Sequence, residues 1–222
     1  MLGLIFVFAL FSAIGPPSFR TARNLETIAR QTAITGTAAL GMTLVIISAG
    51  IDLSVGSVIA LSTVVIAVLL NLGLNPFLSA LGGILAGAIC GFFNGLLITR
   101  LRVVPFIVTL GTLLIVRGVA KGLAKEQKVD AAITWLNNLL AALKPKDHWM
   151  ILPPGVWLMI ILAILVWLML RYTQLGRHIF AIGSNENTAR LCGVKVERVK
   201  VIVYTFSAGF AGLAGLMQFS RL

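Results

Sequence analysis

The chain has 222 residues, of which 59% are hydrophobic and 11% are charged, and its formal net charge is +11. A soluble domain of this size could not bury so much apolar surface, a disordered chain would be rich in charge, and two cysteines are too few for a disulfide-stapled module. The cations are scattered between long neutral runs instead of clustered on one face, so we expect no nucleic-acid partner. The composition therefore predicts a polytopic membrane protein embedded in the lipid bilayer.

Long runs without a charged side chain predict an all-α bundle of about seven transmembrane helices, forming a single domain over 1–222. A helix needs about 20 apolar residues to cross the bilayer core. The longest charge-free run, 53–99, is divided by a strong turn signal at Asn71–Pro76. Strands are not expected, because the runs are apolar on all sides and lipid offers no partner for backbone N–H groups. The predicted spans are 1–14, 27–49, 55–71, 77–99, 103–120, 153–171 and 200–220.

The two ends of the chain carry separate expectations. No cation precedes Arg20, so a first span is favoured over a cleaved signal peptide, which stays the alternative. Arg221 and Leu222 follow the last span directly, which indicates that the chain is incomplete at its C-terminus. Apolar residues share one helical face over 131–143, which predicts a short amphipathic helix outside the membrane, and a packing element with no separate role is the favoured interpretation of it.

A glycine-flanked acidic residue stands between the second and third spans. Asp52 is the only charge between residues 31 and 99, and an ionisable group near membrane depth costs about 2.5–3.5 kcal/mol. It therefore needs a partner or water. Two interpretations stay open: a helix cap at the start of the third span, or a conformational or pathway motif. The residues of that motif are Gly50, Asp52, Ser54 and Gly56, and the glycines are expected to let the backbone turn.

Small residues form a stripe along the fourth predicted span. Glycines recur every four residues at Gly83, Gly87, Gly91 and Gly95, so they lie on one helical face. Small faces let helix backbones approach closely in lipid, so this stripe is expected to pack against another helix. Asn94 borders the stripe and is able to hydrogen-bond across it. The last span repeats the pattern with Ser207, Ala208, Ala211, Gly212 and Gly215.

The polar segment 171–200 contains signals for a short helix over 186–192. Asn185 suits the N-cap, Glu186 the first turn, Arg190 the last turn and Gly193 the end. A capped helix in so short a connection is typical of a docking element for a soluble partner. A generic charged connection is the alternative.

The sequence contains no motif that is typical of an enzyme active site. There is no phosphate-binding loop, no Cys/His metal spacing and no pair of residues for nucleophilic catalysis, because His148 and His178 lie on opposite sides of a span. We therefore predict no catalytic residue, no metal ligand and no cofactor site. This favours a transporter subunit over an enzyme.

Four motifs occur in the order of a known family. They are AGIDLSVGS at 49–57, FFNG at 92–95, PFIVTLGT at 105–112 and the glycine-bounded segment 176–193. The chain resembles the permease subunit of bacterial simple-sugar ABC importers of the ribose type. Family members are longer, with about ten spans, which agrees with an incomplete chain. The family pattern often has glycine where this chain has Ala49, and Gly-Asn where it has Ser184-Asn185.

The resemblance implies a larger assembly. Two permease subunits, which we expect to be a homodimer, would pair in the bacterial inner membrane with a cytoplasmic ABC ATPase that hydrolyses ATP. A periplasmic sugar-binding protein would deliver a monosaccharide substrate, and alternating access would carry it across. The charges on the two sides of the spans balance at +5 each, so only the resemblance places 171–200 in the cytoplasm.

The same resemblance assigns an ATPase-docking segment. Gly183 and Gly193 are expected to supply the backbone angles at the two ends of its helix, and Ala189 to be small enough for close contact. The docking residues are Gly176, Arg177, Gly183, Asn185, Glu186, Ala189, Arg190 and Gly193. Two rival functions stay open: an ATP-independent channel or facilitator, and a polytopic membrane enzyme that uses His178.

Overall fold

The computed structural model describes residues 2–143 and 151–221, and within them the chain is helical without strands. The prediction of an all-α membrane bundle is confirmed. Two 3₁₀ turns cover Pro17–Arg20 and Trp135–Asn138. The α-helices are α1 (Leu2–Ile14), α2 (Ala22–Ile47), α3 (Val55–Asn71), α4 (Pro76–Arg100), α5 (Pro105–Leu123), α6 (Pro154–Tyr172), α7 (Gln174–Ser184), α8 (Glu186–Leu191) and α9 (Val196–Phe219).

Each predicted span corresponds to a helix. Among the described residues, α4, α5, α6 and α9 are long and apolar enough to cross a membrane. α3 and the apolar part of α1 are shorter, and α2 carries three charged residues, at positions 23, 26 and 30, in its N-terminal third. Proline stands at the first position of α4, α5 and α6, where its missing N–H and fixed φ favour the start of a helix.

α9 lies at the centre of the bundle, packed against α2, α3 and α4. Tyr204 and Met217 on α9 are 1% and 0% exposed. α4 and α9 run antiparallel: a Cβ on Gly95 would lie 2.7 Å from Val201 Cα, and one on Gly212 would lie 2.9 Å from Ile84 Cα. This antiparallel pair brings the end of α4 next to the start of α9.

The glycine stripe of α4 is buried and divided between two neighbours. A Cβ on Gly87 would lie 2.6 Å from the Ala208 carbonyl oxygen and 3.1 Å from Gly212 Cα, so the small faces of α4 and α9 meet there. A Cβ on Gly83 would instead lie 2.9 Å from the Ser62 carbonyl oxygen of α3. The buried glycines of the stripe are Gly83, Gly87, Gly91 and Gly95.

The predicted amphipathic helix over 131–143 is wrong. One 3₁₀ turn, Trp135–Asn138, is the only helical part of this segment in the described residues. Leu136 and Leu140 are both 0% exposed, and the Gly155 N–H donates to the Leu139 carbonyl at 2.7 Å. Leu136 packs in an apolar cluster with residues of α3 and α9, and Leu140 packs with Val156 of α6, so tertiary packing buries the apolar face without a continuous helix.

A helix that the sequence pattern did not reveal, α7, covers Gln174–Ser184. The Thr173 hydroxyl accepts the Gly176 N–H at 3.2 Å and so caps the helix. Ile179 and Ile182 are 0% and 1% exposed. Two glycines in eleven residues lower the helix propensity, which concealed an amphipathic helix within a segment that we predicted to be mostly loop.

α2 ends in a Schellman motif with alanine at the left-handed position. The Gly50 N–H donates to the Val45 carbonyl at 2.9 Å and the Ala49 N–H to the Ile46 carbonyl at 3.0 Å. Ala49 has φ +57°, whereas neither Gly50 nor the other glycine of the motif, at position 56, has a positive φ. The prediction that glycines supply this turn is therefore wrong. The same motif ends α8, where the left-handed residue is a glycine.

Ala49→Gly is expected to stabilise the protein. A left-handed backbone costs a residue with a Cβ about 1–2 kcal/mol, part of which is offset by the greater chain entropy of glycine. We expect a gain of about 0.5–1 kcal/mol, measured as a higher midpoint of thermal unfolding in detergent. Gly193→Ala, at φ +84° in the matching motif of α8, should lower the midpoint. Ala60→Gly, inside α3, is the control and should also lower it. A lower midpoint for Ala49→Gly would contradict the strain argument.

Candidate functional site

The connection between α2 and α3 is organised around the buried side chain of Asp52, which is 4% exposed. Asp52 Oδ1 accepts the Ser54 N–H at 2.8 Å and the Ser54 hydroxyl at 2.6 Å. A carboxylate that accepts the N–H two residues ahead forms an Asx turn. Asp52 therefore fixes the turn before α3, while the N-cap residue Ser54 makes no side-chain capping bond.

This turn is joined to α4 and α5 by two further hydrogen bonds. Asn94 Nδ2 donates to Ser54 Oγ at 3.1 Å, and the Thr112 hydroxyl donates to Asn94 Oδ1 at 2.6 Å. We call Asp52, Ser54, Asn94 and Thr112 the junction network. Three motifs that are far apart in sequence thus meet in one chain of hydrogen bonds. Polar side chains at membrane depth are stabilised when they bond to one another.

The backbone of the same connection contacts α5 and α9. The Ile51 carbonyl accepts the Tyr204 hydroxyl at 3.3 Å and the Thr109 hydroxyl at 3.4 Å. A Cβ on Gly50 would lie 2.6 Å from the Tyr204 hydroxyl oxygen, so this glycine is needed for close approach. Gly56 is different, because it is exposed in the first turn of α3 and a Cβ there would have nothing within 4 Å.

The second carboxylate oxygen of Asp52 differs from the first in its hydrogen bonding. Asp52 Oδ2 is buried and has no hydrogen-bond partner among the described residues. Burial raises the pKa of the Asp52 carboxyl above its ordinary value, and the two hydrogen bonds from Ser54 act in the opposite direction. The group therefore offers a hydrogen-bond acceptor inside the junction, next to the end of α2.

The predicted docking segment is a helix pair, α7 and α8, of which α8 is joined to α9 by charged side chains. Glu186 accepts Lys200 Nζ at 2.6 Å, and Arg190 pairs with Glu197 at 2.9 Å and with Glu186 at 3.3 Å. Asn185 Oδ1 accepts the Thr188 N–H at 2.9 Å and caps α8. These contacts at both ends make α8 a firmly placed element.

Two glycines of the docking segment serve close packing. Gly176 and Gly183 lie inside α7 without positive φ, so the prediction that Gly183 supplies the backbone angles at one end of the short helix is wrong. A Cβ on Gly183 would collide with the Ile47 carbonyl, which brings α7 directly onto the end of α2. Gly193, with φ +84°, does supply the left-handed end of α8.

The exposed side of α8 differs from the one expected. Ala189 is 4% exposed and packs in an apolar cluster with Val196 and Val199, so its methyl group points into the protein. Leu191, which the sequence pattern did not single out, is 89% exposed, and Arg177 is exposed on α7. A lone leucine in a six-residue helix gives no periodicity, so only the fold reveals it.

The docking segment and the connection between α2 and α3 border one cavity of about 190 Å³. Gly50 lines it from that connection, Asn185 and Glu186 line it from the docking segment, and Lys200 and Tyr204 line it from α9. These residues appear in the sequence as separate motifs. The fold makes them neighbours, because α7 rests on the end of α2.

Comparison with known proteins agrees with this membrane architecture. The family described as "Branched-chain amino acid transport system / permease component" matches residues 24–222. The ribose import permease protein RbsC of Escherichia coli strain K12 is 36% identical over 225 residues, which cover 100% of this chain and 68% of that protein. RbsC of Bacillus subtilis strain 168 is 37% identical over 218 residues, which cover 98% of this chain and 67% of that protein.

A third relative is the D-allose transport system permease protein AlsC of Escherichia coli strain K12. It is 36% identical over 220 residues, which cover 99% of this chain and 66% of that protein. No solved structure matches the chain significantly. The helical bundle and these matches define a multi-pass membrane transport subunit rather than an enzyme. The chain belongs to this permease family, and its resemblance to the permeases of simple-sugar ABC importers is confirmed.

Proposed function

We propose that the chain is the membrane-spanning subunit of an ATP-driven importer that moves a monosaccharide across the bacterial inner membrane. The ribose and D-allose permeases among its relatives support a sugar substrate. A separate ABC ATPase hydrolyses the ATP, a periplasmic binding protein delivers the sugar, and a second copy of the permease completes the pathway. The permease itself makes and breaks no covalent bond.

The coupling runs through the docking segment, which faces the cytoplasm in this proposal. The observation that carries it is the firm attachment of α8: ion pairs join it to α9, and α7 rests on the end of α2 through Gly183. A rigid element transmits displacement that a loose connection would absorb. The nearly fully exposed Leu191 gives α8 an apolar side chain that a groove on the ATPase would bury.

Movement of α8 has a direct route to the membrane helices. Lys200 links Glu186 to α9 at 2.6 Å, and α9 carries the Tyr204 hydroxyl that binds the Ile51 carbonyl at the junction. Closure of the ATPase subunits would therefore shift α8, α9 and the junction together. Two packed arrangements of these helices, each favoured by one nucleotide state, would expose the sugar site to opposite sides.

Leu191→Asp is expected to weaken ATPase association at least about tenfold, because burial of an apolar anchor is lost and a charge is placed in the contact. Co-purification of the ATPase and sugar-stimulated ATP hydrolysis measure this effect. Ile133→Asp is the matched control, since Ile133 is also almost fully exposed, at 90%. It lies in the connection that follows the C-terminal end of α5 and is not part of the docking segment. The control should leave both measurements unchanged.

Ala189 is a poor probe of the same surface, because a larger side chain there would disturb the packing of α8. Normal association, hydrolysis and uptake in Leu191→Asp would show that α8 is only a connector. Sugar uptake by wild type that continues without ATP hydrolysis would instead favour a facilitator.

A further inference from the structure

A groove of about 530 Å³ with a basic rim lies where the end of α4 meets the start of α9. Arg100, Lys195 and Arg198 line it together with the apolar side chains of Leu96, Val201 and Ile202. We call this site the basic groove. Because α4 and α9 are antiparallel and both are long and apolar enough to cross a membrane, the three cations lie at one end of this helix pair, where the two helices would leave the bilayer.

None of the three cations of the basic groove is paired with a carboxylate in the described part of the chain. Arg100, Lys195 and Arg198 form no ion pair and no side-chain hydrogen bond there. Glu197 also lines the groove, but its carboxylate is bound by Arg190 at 2.9 Å. Three cations that converge without a partner at the membrane boundary favour an anionic ligand.

The walls of the groove select the kind of anion. Below the cations, Val201 and Ile202 continue the apolar surface of α9 into the membrane-facing part of the helix, and Ile202 is 38% exposed. Phe206, one turn further along α9, is 51% exposed. A small soluble phosphate would contact only the rim, whereas a phospholipid would place its phosphate on the rim and an acyl chain along this wall.

We propose that the basic groove is a binding site for an anionic phospholipid such as phosphatidylglycerol. The phosphate diester sits among Arg100, Lys195 and Arg198, and one acyl chain lies against Val201 and Ile202. The bound lipid would bridge α4 and α9 beside the ion pairs that hold α8. This site is separate from the junction network and does not depend on which substrate is transported.

The test measures lipid binding to the purified, delipidated protein by native mass spectrometry. The probes are phosphatidylglycerol, phosphatidylcholine with the same acyl chains, and glycerol 3-phosphate. We expect phosphatidylglycerol to bind at least about tenfold more tightly than either other probe. The triple variant Arg100→Gln/Lys195→Gln/Arg198→Gln should lose at least about tenfold in affinity, since each cation near an anionic lipid strengthens binding about fivefold.

A second variant removes the same number of charges elsewhere. The control Arg23→Gln/Lys125→Gln/Lys128→Gln changes exposed cations outside the groove and should bind phosphatidylglycerol as wild type does. Arg198→Gln alone, at an exposed position, serves if the triple variant does not fold, with an expected loss of about fivefold.

Any of several results would overturn the proposal. Equal binding of phosphatidylcholine would show that the cations are not used. Equal binding of glycerol 3-phosphate would indicate a site for a soluble phosphate. Equal loss in both triple variants would indicate a general effect of net charge. A drop in ATPase association in the groove variant, with phosphatidylglycerol binding unchanged, would assign the groove to a protein partner instead.

Discussion

Gly91→Ala is expected to destabilise the bundle by about 1–3 kcal/mol, because the added methyl group has no space between α4 and α9. A Cβ on Gly91 would collide with the Tyr204 carbonyl oxygen and would lie 2.5 Å from the Ala208 Cβ. The obstacle is partly backbone, so no side-chain rotation relieves it. The two helices would have to separate, and α9 is the element on which α2, α3 and α4 all pack.

The measurement is the midpoint of thermal unfolding in detergent, where about 2–4 °C is expected per kcal/mol for a chain of this size. Gly118→Ala in α5 is the matched control, since nothing lies within 4 Å of a Cβ at that position. Alanine favours helix over glycine, so the control should be neutral or slightly stabilising. Equal shifts for the two variants would show that the close contact of α4 with α9 does not limit stability.

The helices were predictable because the lipid environment restricts which sequences can span a membrane. A span must be apolar and long, and its backbone must be bonded internally, so charge-free runs indicate helices. The sequence pattern did not reveal α7, because two glycines in eleven residues lower the helix propensity of an otherwise amphipathic segment. The apolar periodicity over 131–143 predicted a helix, whereas packing of Leu136 and Leu140 decides the structure there.

The candidate site was predictable in its residues but not in its assembly. Asp52 stood out as an isolated charge and Asn94 as a polar neighbour of the glycine stripe. Nothing in the sequence shows that Ser54, Asn94 and Thr112 bond in series, because contacts between residues 40 and 18 positions apart depend on how helices pack. The left-handed turn likewise falls on Ala49, where side-chain preference alone would choose a glycine.

Loss of the Asp52 side chain is expected to disable the junction, whereas loss of its charge alone is not. Asp52→Ala removes the acceptor of both the Ser54 N–H and the Ser54 hydroxyl in a buried turn. Leaving buried donors without an acceptor costs about 1–3 kcal/mol, and the disturbance would spread to Asn94, which donates to Ser54. We expect sugar uptake by the assembled transporter to fall at least about tenfold.

Asp52→Asn separates hydrogen bonding from charge. Asparagine forms Asx turns as aspartate does and keeps an oxygen in the place of Oδ1, so uptake should stay within about twofold of wild type. Asp130→Ala is the control, because the side chain of Asp130 is 80% exposed and pairs only with Lys128 among the described residues. A folded but inactive Asp52→Asn variant would show that the carboxylate charge itself takes part in transport. Full uptake by Asp52→Ala would show that the turn before α3 holds without this side chain, and that the junction network is not needed for the coupling of α8 to the spans.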